Sequence, residues 1–193
     1  NKDAVFMISE LARLFRISLS KGKTIIRIED ELQHCRSYMN IQKYRYRERF
    51  SVQYDIQEEI YSYCTVKLIL QPILENAIYY GVGDMDEDDD PLIVVRGYKK
   101  EDDIYLCVED NGMGMREEDV RNILTDNQKV PKHGSGVGLI NVHTRIQLMF
   151  GEQYGLHVES EADEGTSVTV HLPAIPFTRE NCEVLEKANI GKE

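Results

Sequence analysis

The sequence predicts a two-layer α+β sandwich. Three observations carry this: helical stripes open the chain, strands then interleave irregularly with helices, and two pairs of strands are each joined by a short polar turn. A doubly wound parallel sheet would need regular alternation of strand and helix instead.

The apolar positions Ala4, Ile8, Leu11, Phe15 and Leu19 step by three and four, which makes one stripe on a helix, and Ser20, Lys21 and Gly22 end it. A second stripe runs through Ile28, Leu32, Cys35, Met39, Gln42 and Tyr46, with Glu29, Asp30 and Glu31 where a helix N-terminus favours negative charge. The period then changes. Phe50, Val52, Tyr54 and Ile56 alternate with polar residues, as in a half-buried strand. Residues 66–81 return to helix, where Pro72 is tolerated only near the first turn or as a kink, because it lacks the amide hydrogen. Strands at 92–98 and 104–109, joined by Lys99 to Asp103, precede a short helix near 116–124. Leu139, Val142, Ile146 and Met149 mark a helix over 138–150, and strands near 154–160 and 166–172 meet at an acidic turn ending in Gly165. The expected organisation is a helical connector over 1–48, a mixed domain over 49–175 and a polar C-terminal tail over 176–193.

The chain of 193 residues is long enough to bury a core, and 41% hydrophobic with 30% charged residues is a globular balance. No apolar run approaches the ~18 residues of a membrane helix, and the N-terminus lacks the short apolar block of a signal peptide. The first residue is Asn1, which predicts an excised fragment. A net charge of −11, from 23 basic and 34 acidic side chains, argues against nucleic acid as the partner, so any anion site must be local. Cys35, Cys64, Cys107 and Cys182 are scattered without a C-x-x-C pair, which predicts neither zinc nor a disulfide framework and fits a reducing cytosol.

Three segments carry chemistry. In "GSGVGLINVHTRI" the glycines at 134, 136 and 138 remove every Cβ from alternate positions just before a helix, so backbone amides and the helix dipole can meet an anion. A flexible loop is the alternative, and no Lys-Ser/Thr pair follows to make a Walker loop. "VEDNGMGM" ends a strand with Asp110, whose ionised carboxylate suits an exocyclic amine, and with Gly112 and Gly114, which let a flat base come close; alone, D-N-G is a plain turn. In "LQPILENAIYYG" the polar pair Glu75 and Asn76 interrupts an apolar helix.

Together these resemble the ATP-binding domain of two-component sensor histidine kinases, within the gyrase, Hsp90, histidine kinase and MutL ATPase group and in its LytS/YesM-like subgroup. The resemblance covers nearly the whole chain. "LQPILENAIYYG" resembles the N box, "DNGMG" the first glycine box, "GSGVGLINVHTRIQLMFG" the second and "GTSVTVHLP" the closing strand, while "RISLSKG" and "YMNIQKYRYRERF" resemble the connection from the phosphoacceptor region. It implies a Bergerat-type fold that binds ATP and Mg²⁺, with residues 49–175 as the catalytic domain. By this resemblance Asn76 holds Mg²⁺, Asp110 accepts from the adenine amine beside Gly112 and Gly114, and Thr166 supports that pocket. Gly134, Gly136 and Gly138 wrap the phosphates, Leu139 starts the helix that points at them, and 127–133 forms a lid whose Lys129, Lys132 or His133 meets the γ-phosphate or stays solvated. Implied partners are the protein's own phosphoacceptor and dimerisation helices, a second copy in the full-length protein and a response regulator receiver domain. The implied location is the cytoplasmic side of a membrane-anchored bacterial sensor.

Departures from the family pattern matter. Tyr79 and Tyr80 stand where the N box commonly has Lys-His, so a phosphate cation is lost, and Tyr80 either stacks on adenine or packs in the core. Pro72 stands where hydrolysing relatives place a base, four residues before the asparagine, which predicts slow hydrolysis. No Asn-Pro-His-Phe-like motif is present, so the acceptor histidine is expected outside the sequence; His34, in "ELQHCRS", sits on a helix without the acidic or proline-flanked context of an acceptor, and His143, His157 and His171 read as packing or surface residues. Asp84, Asp86 and Asp88 open like a calcium loop, but Asp89 and Val95 break the pattern and a solvated connection is expected. Two rival readings are a non-kinase ATPase of this fold and a signalling and dimerisation module without nucleotide.

Overall fold

The computed structural model describes residues 2–19, 22–83, 85–125 and 135–190. Helix α1 (Lys2–Ser18) leads through strand β1 (Ile25–Arg27) into helix α2 (Ile28–Arg45). Strand β2 (Ser51–Ile56), a 3-10 turn (Glu58–Ser62), strand β3 (Cys64–Val66) and helix α3 (Leu70–Asn76) follow, and α3 continues into a π-helical turn (Ala77–Val82). A hairpin of β4 (Leu92–Lys100) and β5 (Asp103–Asp110) precedes helices α4 (Glu117–Asn122) and α5 (Ser135–Phe150). A second hairpin of β6 (Gly155–Glu161) and β7 (Gly165–Pro173) and a helix α6 (Arg179–Ile190) complete the order.

Five strands form one sheet in the order β2-β4-β5-β7-β6, with β2 parallel to β4 and every other pair antiparallel. A parallel pair needs a crossover, and β3, α3 and the π turn supply it. Register places Val95 opposite Val108, Val108 opposite Val168, and Val168 opposite Val158, so the inward side chains form an unbroken apolar floor. Helices α2, α3 and α5 cover that floor, burying Leu32, Met39, Ile73, Leu74, Leu139 and Ile146 in the same core. The opposite face is polar: Arg96 pairs with Glu109, and Cys107 contacts Ser167. This is the two-layer sandwich that the sequence predicts.

Four local outcomes differ from the sequence reading. The helix expected from residue 66 begins at Leu70, because 64–66 instead pair with β1, Ile25 opposite Val66, and Leu68 turns the chain at φ 58°. Pro72 therefore falls in the first helical turn, where a missing amide hydrogen costs nothing. The polar tail contains α6, which docks through buried Leu185 and half-buried Cys182; Glu186 Oε1 accepts the amides of Thr24 and Ile25 at 2.6 and 2.7 Å. Helix α1 exists, but its stripe faces outward, with Ile8 66%, Phe15 52% and Leu19 72% exposed, while Glu10 and Ile17 are buried. Lastly, α5 starts at Ser135, three residues before the expected 138.

All four thiols are free, and the fold brings two of the scattered cysteines together: burial, then the neighbouring Cys182, pushes the Cys64 thiol up to about 12.

Candidate functional site

Strand β5 delivers Asp110 at its last position, and β7 presents Thr166 directly opposite. The π turn after α3 bulges toward them, with the Gly83 amide donating to the Ile78 carbonyl at 2.7 Å. A Cβ at Gly81 would stand 2.5 Å from Asp110 Oδ1, so glycine is what lets this turn rest against the carboxylate. Gly81 lies inside the quoted N-box segment, and its signal in the sequence was a glycine within an otherwise helical run.

Between these elements and α5 lies a cavity of about 360 Å³. Its walls are apolar, with Ile73 and Ala77 on one side, Val108 and Val168 on the sheet, and Ile123 and Leu139 opposite. Asn76, Asp110, Asp119 and Thr166 bring polar groups to the lining, and Tyr80 stands at the rim, 38% exposed. An apolar slot with a few placed polar groups is the usual form of a small-molecule site.

Burial pushes the Asp110 carboxyl up to about 6, opposed by the amides of Gly112 and Thr166. The Gly112 amide donates to Oδ1 at 3.0 Å, leaving acceptor capacity on the carboxylate for a ligand. Thr166 is oriented by Ser160, a residue the sequence reading passed over. Ser160 Oγ accepts from the Met115 amide at 2.8 Å and spends its one proton on the Gly165 carbonyl at 2.8 Å. The 2.9 Å contact between the two hydroxyls is therefore donated by Thr166, which keeps only acceptor lone pairs for the cavity. Asn111 is structural: its Oδ1 accepts the Leu92 amide at 2.7 Å.

The glycines after Asp110 have reasons other than the expected approach of a base. A Cβ at Gly112 would lie 2.3 Å from the Gly81 backbone, and one at Gly114, φ 62°, would lie 1.9 Å from the Glu161 carbonyl. Both are fixed by backbone packing within the protein, although Gly114 also lines the cavity. Gly136 and Gly138 lie in the first turn of α5 rather than in a loop before it, and Gly138 faces Pro72. Leu139 is one turn inside the helix, buried in the cavity wall, and does not begin it. Gly134 and the expected cations Lys129, Lys132 and His133 lie outside the described residues.

Asn76 lines the cavity, whereas Glu75 beside it accepts from Gln71 Nε2 at 2.9 Å. Among the described residues no three His, Cys, Asp or Glu side chains converge as a metal cage. A single amide oxygen is the kind of ligand that Mg²⁺ takes when substrate phosphates and water complete its shell. Of the histidines, His34 is buried against Gln71, His143 accepts the Leu156 amide, and His171 stacks on Tyr105.

Sheet, covering helices and a slot walled by α3, a strand-end carboxylate and the start of α5 together define an α+β fold with a small-molecule site. Comparison with known proteins narrows the class. Residues 65–176 match the family "Histidine kinase-, DNA gyrase B-, and HSP90-like ATPase", and residues 1–50 match the family "Histidine kinase". The sensor histidine kinase YesM of Bacillus subtilis is 36% identical over 167 residues, which cover 86% of this chain and 27% of that protein. Sensor protein LytS of Bacillus anthracis is 29% identical over 170 residues, 86% of this chain and 28% of its own. Among solved structures, the histidine kinase domain of a blue-light activated kinase from Erythrobacter litoralis superposes at a TM-score of 0.56, with 16% identity over 95% of this chain and 77% of that one. The mycobacterial kinase MprB does so at 0.57, with 17% identity over 79% and 98%; these two likenesses speak for the fold. The chain belongs to the histidine kinase ATPase family, in its LytS/YesM-like branch. It spans less than a third of the length of YesM and LytS.

Proposed function

We propose that this chain is the ATP-binding catalytic region of a sensor histidine kinase, holding Mg·ATP in the cavity and passing the γ-phosphoryl group to a histidine outside residues 1–193. The observation that carries the reading is Asp110, a half-buried carboxylate with one oxygen engaged by an amide and acceptor capacity left at an apolar slot. An adenine amine donates to it, with Thr166 accepting from the same amine or from water, and Tyr80 stands ready to stack at the rim. Asn76 offers its oxygen to Mg²⁺, and bound magnesium supplies neutralisation of the phosphate charge. Leu139 in the wall puts the first turn of α5 beside the cavity, so Gly136 and Gly138 leave amides open to phosphate oxygens; the family resemblance adds Gly134 to these and Lys132 as the cation for the outermost oxygen. Transfer then depends on positioning and charge stabilisation rather than on covalent help.

His34 is too buried to accept phosphate, and His157 lies on β6 between inward-facing Leu156 and Val158, so it points to the sheet face away from the cavity. The reading places the acceptor on dimeric phosphoacceptor helices and sends the phosphate on to an aspartate of a response regulator receiver domain. It also places this region on the cytoplasmic side of a membrane-anchored sensor. Pro72 cannot activate water, so turnover without an acceptor is slow.

Titration calorimetry with Mg·ADP tests the site. The chain binds, and Asp110→Asn weakens affinity about ten- to a hundredfold, the worth of a hydrogen bond to a charged group. Undiminished binding by that variant would overturn the assignment. With γ-labelled ATP, label stays off the isolated chain and appears on an added protein carrying the phosphoacceptor helices; label on the chain alone refutes an external acceptor.

A further inference from the structure

Glu31 is fully buried on α2, 37 residues or more from everything it binds. Its Oε2 accepts the Leu68 amide at 2.8 Å, and its Oε1 accepts those of Ile69 and Leu70 at 2.8 and 2.9 Å. These are the amides that open α3, donors that no helical carbonyl can satisfy. Isoleucine at the N-cap offers no side-chain oxygen of its own, so the cap comes from another helix. Arg145 of α5 reaches the same corner, donating to the Lys67 carbonyl at 2.8 Å.

One turn further along α2, His34 meets Gln71 Oε1 at 2.8 Å, and Gln71 Nε2 donates to Glu75 at 2.9 Å. Because the amide oxygen accepts, His34 Nε2 carries the proton. This chain of contacts ends on the residue next to Asn76. Two independent links thus tie α2, in the segment preceding the ATPase match, to the helix that carries Asn76 into the cavity lining.

We infer that Glu31, seconded by His34 and Gln71, is a positioning residue for the magnesium part of the site: it sets the placement of α3, and through it Asn76, by way of the connector. The inference rests on the Mg·nucleotide reading above. Asp110 and Thr166 are held by strand pairing on the sheet and meet α3 only through the walls of the slot, whereas Asn76 is carried by α3 itself, so the metal end of the site responds to the loss of this cap more than the adenine end does. By linkage, whatever displaces α2 alters the metal-dependent part of nucleotide affinity, and nucleotide with magnesium in turn favours one position of α2.

The test compares ADP affinity with and without magnesium for the unaltered chain and for Glu31→Gln. Glutamine keeps the shape but turns an amide group toward backbone donors. The variant is expected to bind magnesium-free ADP within about twofold of the unaltered chain, while the tightening brought by magnesium shrinks about fivefold or more, the lower range of measured site couplings. In the absence of nucleotide, the NMR signals of the Asn76 side-chain amide are expected to shift. A magnesium effect that survives intact overturns the inference, as does an equal loss with and without magnesium, which is what a purely structural role would give. Should Glu31→Gln fail to fold, Gln71→Leu, which cuts the second link and leaves the cap, is read by the same ratio, and an unchanged ratio there overturns it. An unaltered chain that binds no nucleotide overturns the underlying reading and this inference together; binding by the unaltered chain with an indifferent variant overturns the inference alone.

Discussion

Glu31 and Asp110 are two carboxylates in two regions of one layer interface, the joint between α2 and α3 and the floor of the cavity. Burial pushes both carboxyls up from their ordinary values, and backbone amides oppose it at each. At the joint three amides engage both oxygens of a fully buried carboxylate. At the floor the Gly112 amide takes one oxygen and leaves Asp110 with capacity to spare beside open space. The difference separates a carboxylate that holds the fold from one that is kept for a ligand: Glu31 is sealed from solvent with both oxygens engaged, while Asp110 is half-buried with acceptor capacity left over.

The largest effect is expected from breaking the joint. Glu31→Ala strands the buried amides of Ile69 and Leu70 at about 1–3 kcal/mol each, besides the part-buried amide of Leu68, so urea unfolding should show a loss of at least about 2 kcal/mol. Asp110→Ala should change stability by no more than about 1 kcal/mol, because water from the cavity can serve the freed amides. Comparable losses in the two variants would dissolve the contrast.

A smaller effect sharpens it through pH. The folded Asp110 carboxyl, at about 6, stands above its ordinary value of 3.8, so between those limits the folded chain holds the extra proton. Its contribution to stability is therefore present at low pH and is lost as pH rises through that window. Nucleotide affinity should move the other way, since only the ionised form accepts from an amine. Calorimetry should find ADP affinity level above about pH 6 and falling toward tenfold per unit below it. A profile flat down to pH 5 would remove Asp110 from the contact. The smallest effect belongs to α1, where Phe15→Ser should shift stability by within about 0.5 kcal/mol, because the ring is 52% exposed while Glu10, Leu14 and Ile17 face the rest of the fold.

Most of the fold was legible because it is periodic. The alternation through 92–98, 104–109 and 166–172 gave the central strands within two or three residues, and Leu139, Val142, Ile146 and Met149 gave α5. Asn76, Asp110 and Thr166 line one cavity, since the N box and the first glycine box are local segments that the fold brings together. What could not be read was set by partners distant in sequence. The helix at 66–81 starts four residues late because β3 pairs with β1 and because Glu31 caps it from α2. The outward stripe of α1 has the period of a buried one, and periodicity does not say which side meets a neighbour. Helix α6 hides in a polar run whose docking rests on Leu185, Cys182 and one carboxylate. The glycines at 112 and 114 were legible as necessary, but the atoms that require them belong to Gly81 and Glu161.

That carboxylate has a practical consequence. Glu186 receives the two amides that open the connector strand, and Asn189 reaches the Thr24 hydroxyl at 3.4 Å, so the last helix buckles over the first turn-off of the chain. A version trimmed to stop after Pro176, at the apparent edge of the ATPase match, would slacken β1 and with it the root of α2. An assay on so shortened a protein would report a loosened hinge where the intact one is fastened.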